Sequence, residues 1–110
     1  MGFDNWSKPE KEIARRVFDT AYTRECTAIA DEVRRRTTEI HGPNGLWSIQ
    51  SYLAEKRKSM NWKYEYAYHV FIDLFARLLR EGWITIEELS GLSGEKIEAI
   101  KELAAPRPWE

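Results

Sequence analysis

Residues 46–82, LWSIQSYLAEKRKSMNWKYEYAYHVFIDLFARLLREG, hold the longest uninterrupted helical signal of the chain and most of its aromatic mass. From Tyr66 the apolar residues Tyr66, Val70, Leu74 and Leu78 step by four, and Ala67, Phe71, Phe75 and Leu79 form the adjacent row. Two rows side by side make a wide helical face, which touches core neighbours on more than one side. Phe71, Leu74, Phe75 and Leu78 should each contribute roughly 1.5–3 kcal/mol on full burial, so this segment is expected to be the hub against which the remainder packs. The upstream half is more amphipathic. Leu46, Ile49, Leu53 and Met60 face one way, while Trp47, Gln50, Ala54 and Arg57 lie on a neighbouring stripe. An aromatic and an arginine on one stripe suit a protein interface; the same pattern also allows Trp47 as plain core and Arg57 as a solvated charge.

Outward from this stretch, the chain in N-terminal order begins with residues 1–5, too short to fold alone. Ser7-Lys8-Pro9-Glu10 then spells a helix start, with Ser7 as cap, Pro9 in the first turn and Glu10 completing a capping box. Ile13, Val17, Phe18, Tyr22, Cys26, Ile29, Val33 and Ile40 keep a period near 3.6 with no Gly or Pro before Gly42. One long helix is the simplest expectation. At 1.5 Å per residue it would measure on the order of 50 Å, whereas a compact domain of this size has a radius of gyration near 13 Å. Such a helix overhangs its own globule and leaves an apolar stripe for another chain to cover, which predicts an elongated, two-fold symmetric homodimer. Arg34-Arg35-Arg36 falls in the last turns, where cations oppose the negative dipole end and Asp31, Glu32 and Glu39 stand close by, so it reads as a solvated helix end.

His41-Gly42-Pro43-Asn44-Gly45 is the clearest breaker, and a second helix is expected from about Leu46. Met60-Asn61-Trp62 reads as a further break or kink, because Asn favours turns and caps. Beyond Gly82, Thr85-Ile86-Glu87-Glu88 is a capping box for a very short helix ended by Gly91. Ser93 caps a last helix, residues 94–105, with Ile97, Ile100, Leu103 and Ala104 as its apolar face. No useful period-two alternation appears, so the fold class is all-α: one domain over residues 1–110, with residues 1–6 and 106–110 as loosely ordered ends.

Composition narrows the function. The 17 Lys and Arg nearly balance 18 Asp and Glu for a net charge of −1, so no global field draws the chain to nucleic acid or acidic membrane. The single cysteine, Cys26, forms no internal bridge; no apolar run spans a bilayer and nothing reads as a signal peptide, which predicts a cytoplasmic protein without integral membrane contact. Five tryptophans exceed what a small monomer readily hides, placing some at an interface. His41 and His69 lack carboxylate or cysteine partners at metal-ligand spacing, and no nucleophile elbow, Walker loop or dinucleotide fingerprint is present. The expectation is therefore no enzyme, no metal and no cofactor. Leu89-Ser90-Gly91-Leu92-Ser93-Gly94 is similar to a helix-hairpin-helix DNA module, yet its glycines are three apart rather than two, and Glu87, Glu88, Glu95 and Glu98 surround them.

The chain resembles the fluorescence recovery protein family. The resemblance runs through Phe18, Ala21-Tyr22 and Arg24-Glu25, then Leu46-Trp47, Tyr52-Leu53 and Lys56-Arg57. It continues through Phe75-Ala76-Arg77-Leu78-Leu79, Glu81-Gly82, Ile86-Glu87-Glu88-Leu89, Gly91-Leu92 and Leu103-Ala104-Ala105. It implies an all-α homodimer that binds the orange carotenoid protein and speeds relaxation of its red form to the orange one, ending photoprotective quenching, with no bond-making chemistry. Trp47 and Arg57 match the family's functional tryptophan and arginine, with Gln50, Ser51, Leu53 and Ala54 beside them as partner or dimer interface. Phe75 and Asp73 mark the partner-binding head. Four positions depart: a family histidine and aspartate are here Gln50 and Ser51, a head aromatic is Asp73, and a late lysine is Ala99. Two alternatives stand beside this expectation, a dimeric adaptor for a different protein partner and a small DNA-binding regulator.

Overall fold

The computed structural model describes residues 5–66 and 70–106, and among them four α-helices and one 3-10 turn carry the fold, with no strand. The first helix, α1, is Lys8–Thr37. The capping box forms as its residue types require: Glu10 N–H donates to Ser7 Oγ at 3.2 Å, and Ser7 N–H donates to Glu10 Oε1 at 3.0 Å. α1 stops short of the glycine that the periodicity suggested as its limit. The Thr37 and Thr38 hydroxyls donate back to the carbonyls of Arg34 and Arg35, each at 2.7 Å, and satisfy the last turn from within. Arg34, Arg35 and Arg36 pair with Asp31, Glu32 and Glu39 along the same surface, the solvated helix end expected of them.

The second helix, α2, is Pro43–Tyr66. It begins three residues earlier than expected, because a proline needs no hydrogen bond in a first turn and only the residues up to Gly42 are needed for the reversal. The expected break at Met60-Asn61-Trp62 is not there, since α2 runs straight through it. Met60, Lys63 and Tyr64 are buried against α1 whereas Asn61 faces solvent, so burial on one side fixes the backbone and overrides the turn preference of one exposed residue. The hub is accordingly shorter than predicted. α3 is Phe71–Glu81, Tyr66 belongs to α2, and Ala67 and His69 lie outside the described residues. Both predicted rows survive from Val70 onward: Phe71, Leu74, Phe75 and Leu78 are all buried.

Gly82, at φ 85°, ends α3 in the left-handed conformation, with its own N–H and that of Trp83 donating to the Leu79 and Leu78 carbonyls. The Thr85/Glu88 box forms in both directions and opens the 3-10 turn Glu87–Leu89. Ser93 then caps α4, Gly94–Ala104, by accepting from Lys96 N–H at 3.2 Å. α3, the turn and α4 form a head that closes on the N-terminal half of α1 through Ala14, Val17, Phe18, Ala21, Leu89 and Ile100. Trp6, within the segment expected to be a loose end, packs on this core, its ring centroid 6.1 Å from that of Phe71; residues 1–4 and 107–110 lie outside the described residues. The C-terminal half of α1 and most of α2 project as a stem. The molecule measures 53 × 34 × 23 Å with a radius of gyration of 16.9 Å, well above the 13 Å or so of a compact chain of this length.

Candidate functional site

Two regions of α2 carry the side chains that packing does not account for, and both follow from its helical repeat. At about 100° per residue, Leu46, Trp47, Gln50, Ser51, Ala54, Arg57 and Asn61 share one side of α2, and every one of them is exposed; Arg57 and Asn61, at its margin, also line the groove that α2 makes with α1. Trp47 is 59% exposed and Trp62, at the far end of the same side, 71%. The alternative of Trp47 as monomer core is thereby corrected, and Arg57 makes no ion pair among the described residues. Leu53 stands at the boundary of this face, where with Tyr22, Cys26 and Met60 it lines a groove of about 440 Å³ between α1 and α2, to which Lys56, Arg57 and Asn61 add polar groups.

The expected head site fares differently. Asp73 is exposed on α3, but Phe75 is completely buried beneath it. Spacing placed Phe75 on the broad apolar face without distinguishing core from surface, and the core took it; Phe75 is removed from the partner surface. Ala99, in the second turn of the head's last helix, is half-buried.

On the opposite side of α2 a polar network joins stem to head. The ammonium of Lys63, whose side chain is 5% exposed, donates to Glu25 of α1 and to Glu81 of α3. Tyr64 Oη donates to Glu25 Oε1 at 2.7 Å, and Arg77 Nε to Glu81 Oε2 at 2.9 Å. Burial pushes the Tyr64 phenol upward and its bond to Glu25 adds to this. Burial also raises the Glu81 carboxyl, yet hydrogen bonds from Lys63 and Arg77 outweigh that and hold it below the ordinary carboxylate value. The sequence carried one sign of this network, a lysine breaking into the apolar side formed by Ile49, Met60 and Tyr64. Two further links fasten the head to α1: Arg24 grips Glu88 through two bonds of 2.8 Å and donates to the Trp83 carbonyl, and Glu10 Oε2 accepts from Ser93 N–H at 2.8 Å. The Ser93 amide, in the segment similar to a DNA-binding hairpin, is therefore already committed to a carboxylate.

Among the described residues no three His, Cys, Asp or Glu side chains gather as metal ligands, and no helix is long and apolar enough to cross a membrane. His41 is exposed.

A stem of two long helices, an outward aromatic stripe and a small helical head define an all-α class of protein, and comparison with known proteins gives the class its family. The profile of the photoprotection regulator fluorescence recovery protein matches residues 6–104, and the chain belongs to that family. It is 35% identical over 99 residues to the fluorescence recovery protein of Synechocystis sp., covering 90% of this chain and 91% of the relative. The structure of the Fremyella diplosiphon fluorescence recovery protein superposes with a TM-score of 0.83 at 35% identity, over 91% of this chain and 98% of that one. The Synechocystis structure gives 0.82 at 35% identity, over 90% and 97%.

Proposed function

We propose that this protein is a non-enzymatic, cytoplasmic homodimer that binds the orange carotenoid protein and accelerates its relaxation from the red to the orange form. Family membership supports the partner, and the observation that carries the assembly is the exposed Trp47 stripe of α2. The stripe is nearly symmetric about Ala54. An antiparallel pair of α2 helices crossing there sets Trp47 near the partner's Asn61, Ser51 near the partner's Arg57, and Ala54 on its own copy, where a small side chain permits close approach. An isologous two-fold contact has this self-complementary form. The regulatory action is then one of scaffolding, since holding two separated domains of the carotenoid protein together raises their effective concentration for re-docking.

The experiment follows the loss of red absorbance of photoactivated carotenoid protein in the dark, with catalytic and stoichiometric amounts of this protein. Acceleration at substoichiometric amounts is expected. Absence of binding and of acceleration would move the assignment to the second reading, a dimeric adaptor for another protein, which Gln50, Ser51, Asp73 and Ala99 favour as departures from the family pattern.

A further inference from the structure

Because α1 and α2 lie side by side, a groove runs along each side of the pair. One lies toward the Trp47 side and is the groove of Tyr22, Leu53, Arg57 and Asn61; Lys56 and Met60 stand between the two grooves and line both. The other is closed by α3 and the segment after it into a cleft of about 360 Å³, and it contains the Lys63 network. At about 100° per residue, Tyr52, Lys56, Ser59 and Lys63 fall within one narrow sector of α2, whereas Ala54 lies about 200° from Lys56. A second copy seated on Ala54 therefore leaves this cleft open, and a dimer carries two of them.

The charges of the cleft do not cancel. Its lining holds three cations, Lys56, Lys63 and Arg77, against two carboxylates, Glu25 and Glu81, which leaves one positive charge in a chain whose net charge is −1. Lys63 is held between both carboxylates at the floor, and Arg77 gives its Nε to Glu81 while half of its side chain stays exposed. The surplus therefore resides at the rim, with Lys56. Lys56 is exposed, makes no ion pair among the described residues, and has its ammonium 5.7 Å from the Tyr52 ring centroid. The walls beside it are apolar or aromatic, from Met60, Tyr52 and Trp83. A cationic rim against an aromatic wall matches a group that is anionic at one end and apolar next to it.

We infer that this cleft receives a carboxylate side chain of the protein partner, with Lys56 as its main donor, Arg77 beside it, and an apolar neighbour of the acidic residue against Trp83 and Met60. The inference rests on the carotenoid-protein reading for the identity of the partner. It assigns partner docking to the side of α2 opposite the dimer face, so that dimer formation and docking do not compete for the same side chains.

The test titrates photoactivated orange carotenoid protein with the intact chain, with Lys56→Glu, and with Lys8→Glu. Lys8 is exposed at the start of α1, so the last variant makes the same change in net charge far from the cleft. Lys56→Glu is expected to weaken the dissociation constant by about tenfold or more, and Lys8→Glu by no more than about twofold. Zero-length carbodiimide coupling of the complex, which joins an amine only to a carboxylate in contact with it, is expected to link Lys56 to an Asp or Glu of the partner. Equal weakening by the two variants, or coupling of Lys56 to its own chain alone, overturns the cleft as a docking site. If the intact chain fails to bind, the partner assignment falls, and with it the occupant named for the cleft.

Discussion

Lys63, buried between α1 and α3, separates two carboxylates that would otherwise face each other. Lys63→Met is expected to cost about 3 kcal/mol, the scale for removing one member of a buried ionic group, measured as a fall in urea midpoint at pH 7. In the variant Glu25 and Glu81 face each other without the ammonium between them, so Glu25→Gln in the same chain should restore most of the loss at pH 7. Glu10 carries a pH-dependent share of the stability. Backbone donors at Ser7 and Ser93, with Lys96 assisting, hold its carboxyl at about 2 against an ordinary value of 4.5. Its stabilisation is complete above the unfolded value and is lost as pH falls from about 4.5 toward 2, so Glu10→Gln should flatten the acid limb of the stability curve in that window. The capping half of this role was legible in the sequence, since the spacing to Ser7 is local. The bond to Ser93 was not, because nothing in a capping box tells which distant amide its second oxygen meets, and the Lys63 network was missed for the same reason.

Among the elements, the head depends on two glycines in conformations that L side chains rarely adopt, Gly82 at φ 85° and Gly91 at φ 105°. A Cβ at Gly82 would meet nothing within 4 Å, whereas one at Gly91 would come 2.4 Å from Ile13 Cδ1. Gly82→Ala should therefore cost about 1–2 kcal/mol from backbone strain alone, and Gly91→Ala more, because Ile13 of α1 must also move. Thermal unfolding of both variants checks the order, and an equal loss would show that Ile13 yields freely. The number and type of the helices were legible because capping boxes, period and glycine stops are local signals. The joint expected at Asn61 is absent because its own preference for turns is outweighed: the side chains one place before it and two places after it, Met60 and Lys63, are fixed by α1. Trp47 was similarly two-sided in the sequence: its stripe was visible, but which stripe α1 would cover is a property of the packed pair.

At the scale of the whole molecule, a stem that extends a chain of 110 residues to 53 Å leaves Leu46, Trp47, Leu53 and Trp62 with large exposed areas, and the proposed dimer is what would cover them. Light scattering should give about twice the chain mass at micromolar concentration, and dissociation on dilution then ranks the variants. Trp47→Ala removes the largest anchor at one end of the α2 stripe and should weaken the dimer by ~2 kcal/mol or more, about thirtyfold in dissociation constant. Ser51→Asp should act in the other direction. In an antiparallel crossing at Ala54 the new carboxylate stands near the partner's Arg57, and the two-fold axis makes that contact twice, so even an exposed pair worth about 0.5 kcal/mol should tighten the dimer by about 1 kcal/mol in total. Dissociation should then rise with salt more steeply for Ser51→Asp than for the parent, because the added term is screened. The two variants together test geometry as well as energy. If Trp47→Ala weakens the dimer while Ser51→Asp leaves it unchanged at low salt, the α2 stripe is buried but the crossing is not at Ala54; if neither changes it, the chains meet elsewhere and the stripe belongs to another partner.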